Sequence, residues 1–429
     1  MKILLDNSAL YLPKCGIQRY AECVIEGLID QLGEESVMWL PVTRLIEFSE
    51  ISELFSSNLH KHWNVYDRVV SRLFCAVRYR YDKVNQVVKN EPGHGALSPI
   101  RLRRELLRVG KDLAKSLFCE QRILRNCLQG HTLYHSLHGF ISETVKALGM
   151  RYVITIYDII PLLHPELLEK GDKYCDKRDK KGILALSEDD VVFTISEYSK
   201  MDLCNYNARL NPENVHVIHL GAADLFRPTT DPEETERVHR KYGIPTGSEY
   251  VLIPLTSDPK KNVPFMVKAF LEMLAAGELS DVKLVLTGKR KALSSLPAEL
   301  RAGIEQHAGQ IILTDFVDDK ELAVLLSGAL CYCFPSLYEG FGLPVLEAMQ
   351  CGAPVITSNT TSLPEVAGDA ALLVDPTDSE QFKEGVRALC ESPRLRTDLS
   401  EKALKRAAEF SWEKCVRDMI QAYESYAEV

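Results

Sequence analysis

The stretch FPSLYEGFGLPVLEAMQCGAPVITSN, residues 334–359, decides how the chain is read. It leaves an apolar run, passes through Glu339-Gly340-Phe341-Gly342 and enters a helical pattern with Pro344 in its first turn, where the missing N–H costs nothing. Gly352 ends the helix and a second apolar run follows at 354–358. Strand, turn, helix and strand in that order make the βαβ unit of a parallel sheet covered on both faces. Two glycines ahead of a helix let backbone amides approach a ligand closely, and the helix N-terminus favours an anion. Glu339 falls in the turn and Glu347 inside the helix. The eight residues between them span roughly 12 Å at helical rise. A carboxylate pair sharing one reacting bond sits closer, at about 5–9.5 Å. The spacing suits two acceptors gripping hydroxyls at opposite ends of an extended ligand whose phosphates lie between them, which is the layout of a nucleotide-sugar.

Outward from this segment, apolar runs alternate with helical patterns over most of the chain. Strands are expected at 2–5, 37–40, 132–135, 152–157, 191–195, 215–219, 250–254, 282–287, 311–313, 330–334, 354–358 and 371–374. Twelve strands are too many for one comfortable sheet, so two α/β domains are expected. The boundary falls in FRPTTDPEETERVHRKYGIPTGSE, residues 226–249, with its prolines and polar run. This gives an N-terminal Rossmann-like domain at 1–228, a C-terminal one at 229–410, and a last helix in 411–429 that fits against either.

The chain has 429 residues and a formal charge of −9, which opposes general duplex binding driven by phosphate neutralisation. That total averages two unlike parts. Residues 61–130 hold 15 Lys+Arg against 6 Asp+Glu, a balance of +9, so the rest carries −18. Within this basic insert, which spans about 45–130, Leu102, Leu106, Val109, Leu113 and Leu117 form one helical stripe while Arg103, Arg104, Arg108, Lys111 and Lys115 fall mostly elsewhere. An amphipathic helix packed on the first domain fits this pattern. So does a docking face for an anionic membrane or a phosphate-bearing acceptor.

Asp6 interrupts the first apolar run after three residues, so neither a signal peptide nor a spanning helix is expected there, and no later stretch reaches the roughly 18 apolar residues of a span. Twelve cysteines include no CxxC pair, and Cys331 and Cys333 sit in the apolar run ALCYCF. Reduced core thiols in a cytosolic protein, peripheral at most at the inner face of the membrane, are the expectation.

Residues 334–359 resemble the donor-site signature of the retaining glycosyltransferases of family 4, which have the GT-B fold of two Rossmann-like domains facing a deep cleft and carry a Glu-x7-Glu motif. Other segments match in order: LIPLTSDPKKNVPFMVKAF (252–270) resembles the family's Lys-Asn phosphate segment, LVLTGKR (284–290) its glycine-bearing strand end and TDFVDDKELAVLLSGA (314–329) its base-binding turn. CGIQRY (15–20) resembles the N-terminal glycine loop, and VITIYDIIPLLHPE (153–166), TISEYSKMDL (194–203) and VIHLGAADLFRP (217–228) also fit. The resemblance covers nearly the whole chain except about 45–130.

The resemblance implies roles position by position. Glu347 binds the ribose hydroxyls, and Glu339 the donor sugar near the reacting carbon. The amides of Gly340, Phe341 and Gly342 face the sugar or its phosphate, and Lys261 neutralises the diphosphate, a contact that strengthens as the leaving group gains charge. Val317 presents backbone groups to the base, and Gly288 lets the chain pass close to the phosphates. Gly16 approaches the donor phosphates or the acceptor. Arg19 either does likewise or is a solvated residue on a first helical turn. Asp158, past a strand end, either faces the reaction or caps a helix. Tyr157 and His135 fall on the acceptor side.

Three positions depart from the family pattern. Tyr157 stands where many members have histidine, Leu255 where some have arginine, and Gln18 in place of a common glycine. Lys260 or Lys289 is expected to supply the missing positive charge.

The implied reaction moves a hexose, mannose from GDP-mannose first and UDP-hexoses next, to a glycan or lipid-linked oligosaccharide with retained configuration. No Asp-x-Asp triplet occurs, so no metal and no cofactor is expected, and lysine with a helix terminus would stabilise the leaving diphosphate. An inverted product would need a general base, for which Asp158, His135 and His138 are the candidates. A sugar-nucleotide epimerase and a donor-binding subunit without turnover remain alternatives.

Overall fold

A computed structural model describes residues 1–6, 16–33, 36–40, 133–138, 141, 146, 149, 151–168, 177–279 and 281–428. The basic insert at 45–130 lies outside the described residues, as do residues 7–15 ahead of Gly16.

The strands are β1 Ile3–Asp6, β2 Val37–Leu40, β3 Leu133–Ser136, β4 Arg151–Thr155, β5 Val191–Thr194, β6 Val215–Val217, β7 Glu249–Pro254, β8 Val282–Thr287, β9 Ile311–Asp315, β10 Cys331–Phe334, β11 Val355–Ser358 and β12 Leu372–Val374. They form two six-stranded sheets in the orders β2-β1-β3-β4-β5-β6 and β12-β11-β10-β7-β8-β9. The expected α/β fold with two parallel sheets is what the chain adopts. The strands are near-continuous apolar runs, the pattern of a parallel sheet buried on both faces. Ile3, Leu4, Leu5, Val192 and Phe193 in the first sheet and Leu252, Val285 and Val355 in the second are essentially inaccessible.

The chain divides into two compact units, one of Met1–Ala21, Leu28–Leu137 and Ile141–Arg151, the other of Glu22–Gly27, His138–Phe140 and Tyr152–Val429. In the first unit β1 pairs in parallel with β2 and with β3, Ile3 standing opposite Val37 and Leu133. The second unit holds the sheet that bears residues 334–359. Its core joins Val251, Ile253, Leu284, Leu286 and Cys331 from the strands to one stripe of the helix Val263–Ala275. That stripe is Val263, Met266, Val267, Phe270 and Met273, the spacing of one helix face. Truncating a residue as large as Phe270 in such a core costs about 3–5 kcal/mol.

The order β12-β11-β10-β7-β8-β9 reverses between β7 and β10. An open parallel sheet places its ligands outside the C-terminal strand ends at such a switch point, because the two following connections diverge and leave a crevice. Here those connections are 255–262, after β7, and 335–342, after β10.

Within the expected connection at 226–249, residues Pro232–Tyr242 form a helix. Its signals are local: Asp231 accepts from the Glu233 N–H as N-cap, Pro232 opens the first turn, and Gly243 closes the end in the left-handed region. Val238 and the buried Glu321 pack it toward the helix Asp319–Ser327. The last helix, Trp412–Glu428, lays Tyr423 against Phe193 of β5, ring centroids 5.5 Å apart. Among the described residues seven cysteines are free, and no helix is long and apolar enough to cross a membrane.

Candidate active site

After β7 the chain turns through Asp258, whose carboxylate accepts from the Lys260 N–H, into a short 3-10 turn, Pro259–Lys261. Asn262 then takes a left-handed conformation (φ 57°), which asparagine tolerates better than most residues. Its amide Nδ2 donates to the carbonyls of Pro335 (3.2 Å) and Pro376 (2.8 Å). The two connections are stitched further by the Leu337 N–H, which donates to the Lys260 carbonyl at 2.7 Å. The result is that Lys261 Nζ lies 2.6 Å from Glu339 Oε1 and 4.9 Å from the centre of the Phe334 ring. An ammonium over an aromatic face gains further attraction.

Glu339 is buried, and a buried carboxylate needs partners. Besides Lys261, the Ser336 hydroxyl sits 2.6 Å from its Oε1 and 2.7 Å from the Lys260 carbonyl, with one hydrogen for either. The Glu339 N–H donates to Thr361 Oγ1 (3.3 Å), and the Ser362 hydroxyl lies 2.9 Å from the carbonyls of both Glu339 and Phe341. Gly342 follows at φ 114° and the helix Leu343–Gln350 begins, a backbone that a side chain would strain. The N–H groups of Gly340, Phe341, Gly342 and Leu343 donate to no described residue, although Gly340, Phe341 and Gly342 are buried. Buried amides are nearly always paired, so this row at a helix N-terminus, beside a lysine, offers donors that an anion can take up. Thr360 Oγ1 nearby is also buried without a partner among the described residues.

Glu347 lies half-buried in the second turn of the same helix. Burial pushes the Tyr332 phenol well up, and the charges of Glu347 and then Glu339 add to the effect. Both carboxylates therefore act on one β10 side chain. Asp158 is half-buried, and its Oδ1 accepts from the Ile160 N–H at 3.0 Å. Burial raises its pKa, against the lowering pull of that N–H and of Lys260. A Cβ on Gly340 would come within 2.9 Å of Asp158 Oδ2, so this carboxylate borders the glycine turn.

Gly288 ends the β8 connection at φ 149°, where a Cβ would collide with the carbonyl oxygen of Leu255. Its N–H donates to the Asp315 carbonyl at 3.1 Å. The family-departing Leu255 is a buried residue whose N–H donates to the Thr287 carbonyl. Val317 is buried between β9 and the helix Asp319–Ser327, beside the exposed Phe316. Lys260 Nζ is 3.0 Å from Asp258 Oδ2, whereas Lys289 is exposed.

The structure thus brings Lys260, Lys261, Asp158, Glu339 and the Gly340–Phe341–Gly342 turn together. Tyr157 is half-buried, its ring centroid 6.1 Å from that of His138. In the first unit Gly16 opens the helix Gly16–Leu32, Arg19 lies half-buried in its first turn, and His135 is buried on β3. Burial pushes the His135 imidazole down to about 3, a neutral side chain with little capacity as a base near neutral pH.

Sequence reasoning missed Ser336, Thr361, Ser362, Asn262 and Tyr332, and the contacts that Ser196 and Ser199 make with the Gly340 carbonyl. Their signal was faint: small hydroxyl residues flanking the glycine turn, and a Ser-x-x-Ser at a helix start. Among the described residues no group of three or more His, Cys, Asp or Glu side chains is placed to hold a metal ion.

The family profile described as "Glycosyl transferases group 1" matches residues 234–406. The chain is 31% identical over 297 residues to "O-antigen chain mannosyltransferase B" of Escherichia coli, covering 68% of this chain and 74% of that protein. It is 27% identical over 293 residues to "Serotype-specific mannosyltransferase WbdA" of Escherichia coli, covering 67% of this chain and 35% of that much longer protein. Among solved structures, a glycosyltransferase from Rickettsia africae ESF-5 superposes with a TM-score of 0.66 over 99% of this chain and 98% of that one, at 15% identity. At that identity the likeness is one of fold.

Proposed function

Since this chain belongs to the group 1 glycosyltransferases, with the GT-B fold of the family 4 type, we propose that it transfers mannose from GDP-mannose to a glycan or lipid-linked oligosaccharide in polysaccharide synthesis, with retention at the anomeric carbon. The observation that carries this reading is the row of amides at Gly340–Leu343 that donate to no described residue, beside the Lys261–Glu339 pair. Two relatives named mannosyltransferases favour mannose over other hexoses.

In this mechanism the diphosphate lies on the amides and Lys261, Glu347 holds the ribose, and Val317 meets the base. Glu339 engages the sugar hydroxyls near the reacting carbon. The acceptor oxygen forms its bond to the anomeric carbon on the face that the diphosphate leaves. The electron pair of the breaking bond passes to the diphosphate oxygen, which also takes the acceptor proton. Lys261 and the amides meet the charge that develops there. Lysine and the helix terminus supply this stabilisation without a divalent ion, so activity should survive a chelator. Asp158 borders the turn where the acceptor hydroxyl would arrive. The enzyme works in the cytoplasm, with the basic insert at 45–130 touching the anionic inner face of the membrane.

A thermal-shift screen of GDP-, UDP- and ADP-sugars followed by a transfer assay tests the reading. Stabilisation by GDP-mannose, with transfer to an oligosaccharide, is expected. A preference for a UDP-sugar would replace the donor, and an epimerised free nucleotide-sugar would replace the reaction.

A further inference from the structure

The helix Glu197–Tyr206 has no part in the chemistry above, yet its first turn grips the glycine turn. Ser196, its N-cap, accepts from the Ser199 N–H at 3.0 Å. The same hydroxyl donates to the Gly340 carbonyl at 2.7 Å, and the Ser199 hydroxyl donates to it at 3.1 Å. Both serines are buried. A carbonyl has two lone pairs, and here both donors come from one element. The Glu365 carboxylate closes the arrangement, its oxygens 2.9 and 3.0 Å from the Glu197 nitrogen.

A trans peptide points its carbonyl and its N–H in opposite directions. Holding the Gly340 oxygen against Ser196 and Ser199 therefore turns the Phe341 N–H the other way. On that side chain's own account, Phe341 packs its ring 5.9 Å from Phe410 and 6.2 Å from His219. A carbonyl that accepts strong hydrogen bonds polarises its peptide and makes the N–H a better donor. The partial positive charge of the helix start acts in the same sense.

We propose that Ser196 and Ser199 are positioning residues of the donor site: they hold the Gly340 carbonyl, fix the Gly340–Phe341 peptide, and so set the Phe341 N–H for the diphosphate. This inference rests on the nucleotide-sugar reading and assigns part of that site to a helix that touches no substrate.

The test is isothermal titration of the full chain with GDP and with inorganic pyrophosphate, together with donor kinetics. Ser196→Asp keeps an N-cap acceptor but cannot donate to the carbonyl, so the helix stays capped. Ser199→Ala leaves the cap bond of its own N–H in place. Each variant should weaken binding of both anions by about tenfold and lower kcat at saturating donor, by more than any fall in melting temperature accounts for. Ser199→Thr, which restores a hydroxyl, should recover most of the loss. Variants that bind GDP like the wild type, or lose affinity only in step with stability, would overturn the inference while leaving the donor reading intact. A wild-type chain that binds neither anion would overturn both.

Discussion

Lys261 Nζ donates to Glu339 Oε1 at 2.6 Å, joining the connections that leave two adjacent parallel strands, β7 and β10. The pair is largely withdrawn from water, so each charge fixes the other and neither is easily removed alone. Lys261→Ala and Glu339→Gln should each lower kcat/KM for the donor by about 10²–10³. The double variant should lose less than the product of the two, because the groups act as a unit. Steady-state kinetics of the three variants check this, and strictly multiplicative losses would show that the pair is not coupled.

Gly288 and Gly342 should respond differently to alanine. At Gly288 the obstacle is the Leu255 backbone, which cannot swing aside, whereas at Gly342 it is the flexible end of Leu363, 2.7 Å from the added carbon. Both positions have a left-handed φ, which costs about 1–3 kcal/mol for a side chain. Gly288→Ala should therefore destabilise the fold by more than Gly342→Ala in urea unfolding. Gly342→Ala should show its larger effect on GDP affinity, because it moves the amides.

Glu321 ties the helix Pro232–Tyr242 to the helix Asp319–Ser327. Burial pushes its carboxyl up, but bonds from Lys241, Tyr242 and Arg237 outweigh this and hold it down to about 2. A carboxyl depressed in the folded state adds stability above its unfolded value, and that stability is lost as the pH falls through the folded one. The wild type should exceed Glu321→Gln in stability at pH 7, with the gap closing between about pH 4.5 and 2. Chemical unfolding midpoints across that window provide the check, and a gap independent of pH would contradict the ionic account.

The positive charge that Leu255 does not supply separates the two remaining lysines. Lys260 already faces Asp258 at 3.0 Å, while Lys289 is exposed. Lys289→Ala should weaken donor binding more than Lys260→Ala in titration calorimetry. No change in either variant would remove both from the donor site.

The strands and the glycine turn were legible because their signals are local. Runs such as YVLI (250–253) are apolar on both faces, and Gly340, Gly342 and Pro344 punctuate one strand-to-helix passage. The helix Pro232–Tyr242 was hidden by its charge: its single buried apolar residue, Val238, leaves little periodicity, although its cap residues were readable. Ser336 and Asn262 were not legible, because their roles come from partners 76 and 73 residues away. The contact of Ser196 with Gly340, 144 residues on, left no mark in the sequence. Such contacts exist only once strand order is fixed, and strand order is not written in the hydrophobic pattern.

The most direct measurement is proton NMR of the anomeric centre in the product formed from GDP-mannose and a lipid-linked or synthetic oligosaccharide acceptor. With Lys261 and the Gly340–Leu343 amides proposed to meet the leaving diphosphate and no protein nucleophile, the expected mannosyl product has the anomeric configuration of the donor. A product of inverted configuration would contradict it.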